Sequence, residues 1–249
     1  MVAALTGSAQ VNLTGISYTQ NFNNVGSGLP AGWSVHTTTT ASTLGNLGNF
    51  TTAATTWAAG TALTDFRNVA SDNLAFGATS GTQASDLNRA IGWRPLAAAT
   101  DARSGAIMLT IADTAGFQDF ALSVRVFTGN DSATSSQTYL LEFRVGNTGT
   151  FTPIATYLTP TTGATGFNAQ TFTANSSVLS MLNNQPDTVY LRLRGIATSG
   201  TSLDSIAMDD FSLTYSAVAV PEPATFASML GAAALLGVAI HRRRQLRAN

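Results

Sequence analysis

Four stretches of the chain alternate apolar and polar side chains with a period of two. In "FALSVRVF", Phe120, Leu122, Val124 and Val126 fall on one side, and Ser123, Arg125 and Phe127 on the other. In "YLLEFRVG", Tyr139, Leu141, Phe143 and Val145 oppose Glu142 and Arg144. In "TVYLRLRG", Val189, Leu191 and Leu193 point inward and Tyr190, Arg192 and Arg194 outward, while "GAIMLTI" alternates through Ile107, Leu109 and Ile111. This period, with β-branched and aromatic residues, predicts half-buried strands. Clusters of Gly, Asn, Ser and Thr such as "TGNDSATSS" separate the runs as turns. Only "NSSVLSMLNN" reads as a short helix or capped turn. No internal repeat or linker interrupts residues 11–215, which predicts one all-β domain, an antiparallel β-sandwich of jelly-roll or concanavalin-like form.

"SIAMDDFSLTY" breaks the alternation. Ile206 and Met208 set one phase, and Phe211, Leu213 and Tyr215 the other, with the slip at Asp209-Asp210. One extra residue there, a β-bulge, lets both apolar sets face the core. Two adjacent carboxylates at a bulge read either as solvated acids or as ligands of a hard cation, a structural Ca²⁺ held by Asp209 and Asp210. Asp204 and carbonyls near "QNFNN" are further ligand candidates.

The last thirty residues follow a different pattern. Residues 224–240 carry no charge, and as a helix they would extend roughly 26 Å, the lower limit for crossing a bilayer core. The basic run Arg242, Arg243 and Arg244 follows in 241–249, and positive charge at that end predicts a transmembrane helix with its tail in the cytoplasm. Before the helix, in the linker 216–223, Pro221 and Pro223 flank Glu222 and hold the chain extended. "MVAALTGSAQ" (1–10) is too short for a complete signal peptide but has the small residues of the end of one, and reads as a remnant.

Composition narrows the chemistry. Only 10% of residues are charged, and the formal net charge is −1. All twelve basic side chains are Arg, four of them after residue 241, so the body is mildly acidic and nucleic acid is excluded as a partner. With no Lys there is no P-loop or Schiff base, and with no Cys no disulfide or thiol chemistry. Besides His241 in the tail, His36 stands alone, and no G-x-S-x-G elbow accompanies it. Trp33, Trp57 and Trp93 are either core residues or platforms for sugar rings. Tyr190, Arg192 and Arg194, sharing a face, are either a solvated strand surface or a site for an anionic glycan.

Two resemblances attach to these residues. The order Pro221-Glu222-Pro223, apolar helix 224–240, Arg242–Arg244 resembles the PEP-CTERM sorting signal of exported bacterial proteins. It implies handling by an exosortase at the inner membrane, then delivery to the cell surface or an exopolysaccharide-rich matrix. "YTQNFNNVGSGLPAGWS", "SDLNRAIGW" and "IAMDDFSLTY" resemble segments of exported lectin-like and adhesin-like sandwiches. The second is similar to their "DRALG" element, with Leu87 and Asn88 inserted between Asp86 and Arg89. That likeness implies glycan binding and, in some members, a structural Ca²⁺. The combined expectation is a non-catalytic, exported glycan-binding or matrix protein. The alternative is a polysaccharide-active enzyme using a pair of Asp residues, a pairing with no local sequence signature.

Overall fold

A computed structural model of the chain describes residues 9–55, 66–71, 78–93, 104–130, 138–158, 166–196, 205–219 and 223–248. In chain order the strands are β1 (Ser17–Gln20), β2 (Trp33–Thr37), β3 (Asn46–Leu47), β4 (Phe50–Thr55), β5 (Phe66–Ala70), β6 (Arg89–Trp93) and β7 (Gly105–Ile111). There follow β8 (Phe117–Asn130), β9 (Thr138–Val145), β10 (Thr152–Leu158), β11 (Gly166–Ala174), β12 (Val189–Ile196) and β13 (Ser205–Ala217). A short helix α1 (Ser80–Ser85) precedes β6, and a long one, α2 (Pro223–Ala248), ends the chain. The predicted turn in "NSSVLSMLNN" is a 3-10 turn at Ser180–Leu182.

The strands build the expected β-sandwich. One sheet has the order β11-β8-β13-β6-β5-β4, with β1 also paired to β13; the other has the order β10-β9-β12-β7-β2-β3. Pairings are antiparallel except β4 with β5. From β6 to β9 successive strands change sheets, so strands distant in sequence become neighbours, as when β12 enters between β9 and β7.

The core lies between the sheets and is made by the alternation itself. Phe120, Leu122, Val124 and Val126 of β8 face Leu141 and Phe143 of β9 and Leu191 and Leu193 of β12 in one apolar cluster. The bulge is present: the register of β13 against β8 shifts between Asp209 and Ser212, and Asp210 takes a left-handed φ of 46°. The extra residue brings Ile206, Met208, Phe211, Leu213 and Tyr215 into the same cluster.

Trp33 and Trp93 are core residues, which removes them as sugar platforms. The indole N–H of Trp33 donates to the Tyr18 hydroxyl at 2.7 Å, and its ring meets Phe22 edge-on. Trp93 stacks on Phe66 with centroids 5.2 Å apart. Trp57 lies outside the described residues.

The contacts divide the chain into two compact units, Met1–Ala217 and Val218–Asn249. The second contains α2, which begins at Pro223, a residue suited to the first turn of a helix because its missing N–H has no helical partner there. The structure gives no support to the expected transmembrane span over 224–240. Among the described residues no helix is long and apolar enough to cross a membrane.

Candidate functional site

The face of β12 that carries Tyr190, Arg192 and Arg194 points away from the core, as the alternation predicts. It is not a solvated surface, however: the three are 8%, 1% and 4% exposed. Antiparallel register sets Arg192 beside Glu142 and Tyr190 beside Arg144 of β9, so two strands contribute one polar patch. The Glu142 carboxylate accepts from Arg192 Nε at 2.8 Å and from Arg194 Nε and Nη2 at 3.1 and 3.0 Å.

Residues 38–45, the connection from β2 to β3, cover this patch as a strap. Its two ends are held at the paired residues Thr37 and Asn46. Thr38 and Gly45, just inside that pair, both have left-handed backbones, φ 55° and 77°. At Gly45 this matters, because a Cβ there would run into the Thr37 carbonyl oxygen. The strap turns its carbonyls onto the arginines. Arg192 donates from Nη1 to Thr43 O at 2.9 Å and from Nη2 to Thr40 O at 2.7 Å, and Arg144 from Nη1 to Ser42 O at 3.1 Å. Phe151 N–H donates to Ala41 O, and Thr39 N–H to Ser104 O. Leu44 packs on Met108, Phe151 and Tyr190. The Phe151 ring has Arg192 Cζ 3.4 Å and Arg144 Cζ 4.6 Å from its centroid, within cation–π distance.

The electrostatics follow from burial. Loss of water pulls Arg192 down from its usual range to about 10, an effect that Glu142 opposes. Burial lowers Arg144 as well. On β2, from which the strap departs, His36 Nε2 lies 3.0 Å from Ser34 Oγ. Burial pulls this imidazole down to about 4, so it is neutral near pH 7 and too weak a base for acid–base work there.

The two acids of the bulge diverge. Asp209 is fully buried; its Oδ2 accepts from Ser71 Oγ at 2.7 Å and its Oδ1 from the N–H of Asp210 at 2.8 Å. Asp210 is exposed and lines an open depression of about 340 Å³ with Gln20 and Asn21, residues of the "QNFNN" stretch. The two carboxylates thus have different surroundings, one buried against hydrogen-bond donors and one at the surface. Among the described residues no group of three His, Cys, Asp or Glu could hold a metal. Asp204 lies outside them.

Within "SDLNRAIGW" the Asp86 carboxylate and the Arg89 guanidinium bond to different partners. Asp86 Oδ1 accepts from the N–H of Asn88, while Arg89 donates to Asn68 Oδ1 at 2.7 Å and Gln83 O at 2.6 Å. Arg89 meets only the backbone carbonyl of Asp86, at 3.3 Å. In the C-terminal unit, Pro223 opens α2 and Arg242, Arg243 and Arg244 lie near its end, Arg243 exposed; Pro221 and Glu222 fall outside the described residues.

Fold and site thus define a β-sandwich with a covered arginine-rich face, followed by a separate helical tail. Residues 219–244 match the PEP-CTERM protein-sorting motif. The sandwich is similar to TmCBM61 in complex with β-1,4-galactotriose, at 12% identity over 79% of this chain and 99% of that one, with a TM-score of 0.40. It is also similar to the K1 cleaved adhesin domain of Lys-gingipain from Porphyromonas gingivalis (13%, 82% and 100%, TM-score 0.44). The xylan-binding module CBM15 is a third (11%, 82% and 99%, TM-score 0.43). No curated protein matches the chain.

Sequence reasoning placed Glu142 and Arg144 on one side of their strand but did not join them to Arg192 and Arg194. The available signal was a shared phase of charged residues in two strands. The strap had no such signal, since "TTTTASTLG" reads as an ordinary turn.

Proposed function

We propose that this chain is an exported bacterial protein, delivered through residues 219–244 by an exosortase, whose β-sandwich binds carbohydrate without acting on it chemically. The carrying observation is the sorting motif directly behind a self-contained sandwich. The lectin-like sequence segments support the carbohydrate reading, and the body, a sandwich of two sheets, is in keeping with it.

Delivery and binding are tested separately. Mass spectrometry of the mature protein from cells with and without the exosortase should find the C-terminus removed only when the enzyme is present; an intact tail in both would end the sorting reading. A glycan array that includes the producer's own exopolysaccharide should show saturable binding, and a blank array would end the carbohydrate reading. Turnover of a bound polysaccharide, lost on an Asp→Asn change, would replace the binding module with an enzyme.

A further inference from the structure

The outer face of the β10-β9-β12-β7-β2-β3 sheet carries an imbalance of buried charge. Arg144, Arg192 and Arg194 are each at least 95% excluded from water, and Glu142 is their buried carboxylate. Among the described residues, three guanidiniums therefore share one counter-ion at this face. Buried charges are tolerated when they are paired; Arg192 and Arg194 divide the single carboxylate between them, and Arg144 is met only by neutral groups. The amide carbonyls of Thr40, Ser42 and Thr43 supply hydrogen bonds but no net charge. Nη2 of Arg144 is buried and has no hydrogen-bond partner. This is a donor set for an oxyanion, currently filled by the chain's own backbone.

We infer that the strap 38–45 is a displaceable internal stand-in for ligand, and that the face beneath it binds a carboxylate-bearing polysaccharide, a polyuronate. The inference rests on the carbohydrate-binding reading and names its ligand class and its gate.

The physical exchange is favourable in kind. A carboxylate is a stronger acceptor for a guanidinium than an amide carbonyl and also neutralises it. What opposes opening is the packing of Leu44 and the few backbone hydrogen bonds of the strap. The left-handed residues Thr38 and Gly45 sit at its two ends, where backbone rotation frees the strap and leaves the Thr37–Asn46 pair intact. Phe151 and Tyr190, whose rings lie against the guanidiniums, keep the arginines in place when the strap leaves.

The full chain is titrated with oligogalacturonate and with a neutral xylo-oligosaccharide by calorimetry, at low and moderate salt. Oligogalacturonate should bind, more weakly as salt rises. Arg144→Gln should weaken it about tenfold or more, the loss of a charged hydrogen-bonding partner. Leu44→Ser, which changes no charge and loosens only the strap, should tighten it several-fold. Hydrogen exchange should show the amides of Thr39 and Phe151 exchanging faster with oligogalacturonate bound, the opposite of ordinary ligand protection. Melting curves confirm that each variant is folded, and the unsubstituted protein carries the exchange test if Arg144→Gln is not. If neither sugar binds and the glycan array is blank, the carbohydrate reading itself fails. The strap inference fails alone if only neutral sugars bind, if oligogalacturonate binding ignores Arg144→Gln or Leu44→Ser, or if the Thr39 and Phe151 amides stay protected.

Discussion

The Glu142 carboxylate and the Arg192 guanidinium meet at 2.8 Å with almost no access to water. They stand on neighbouring strands, fifty residues apart in the chain, and their pairing organises the covered face. Arg194 shares the same carboxylate, so among the described residues Glu142 is the one buried anion beside three cations there.

Glu142→Gln should therefore be the most damaging change at this face. It removes the counter-ion and leaves the guanidiniums buried without it, a loss of about 3–5 kcal/mol. Chemical denaturation should show a much lower midpoint than for Arg194→Met, which leaves the Glu142–Arg192 pair in place. Equal losses would mean that the carboxylate does not hold the cluster together.

Stability should depend on pH through His36. Its folded value is about 4, against an ordinary value of 6.5, so the unfolded chain takes the proton first. The contribution is complete above pH 6.5, falls as the pH drops towards 4, and does not fall further below that. Its full size is about 3 kcal/mol. Denaturation between pH 4 and 7.5 should show this slope, and His36→Gln should flatten it.

Gly105→Ala should destabilise the sandwich through a single methyl group. The added Cβ would lie 2.6 Å from the Trp93 ring, which presses on the strand from the core side. Relieving that overlap moves a large buried indole and should cost about 1–3 kcal/mol, read as a lower melting temperature.

At the bulge, Asp209→Ala should lower stability by about 2 kcal/mol, because it strips an acceptor from the buried Ser71 hydroxyl and from the half-buried Asp210 N–H. The loss should be the same with Ca²⁺ and with chelator. A loss seen only with Ca²⁺ would show that Asp209 serves an ion after all.

The strands, their inward faces and the bulge in β13 were legible in the sequence, because each is written in neighbouring residues. A two-residue period states which side of a strand is apolar, and a slip in that period at Asp209-Asp210 states that a residue must be looped out. The tail was legible for the same reason: prolines, helix and arginines stand in a fixed local order, and residues 219–244 match the sorting motif on that order. The site was less so. Alternation put Arg192 and Arg194 on the face opposite the core, but which face is opposite does not say what lies over it.

The sequence by itself thus determined the sandwich class, the core-facing side chains and the sorting tail, all consequences of short-range patterning. Only the tertiary structure decided that Glu142 joins Arg192 and Arg194, that Asp209 turns inward while Asp210 faces out, and that residues 38–45 close over the arginines. Each depends on which strands become neighbours and where a loop comes to rest. Those outcomes are set by packing between residues far apart in the chain, about which a local period carries no information.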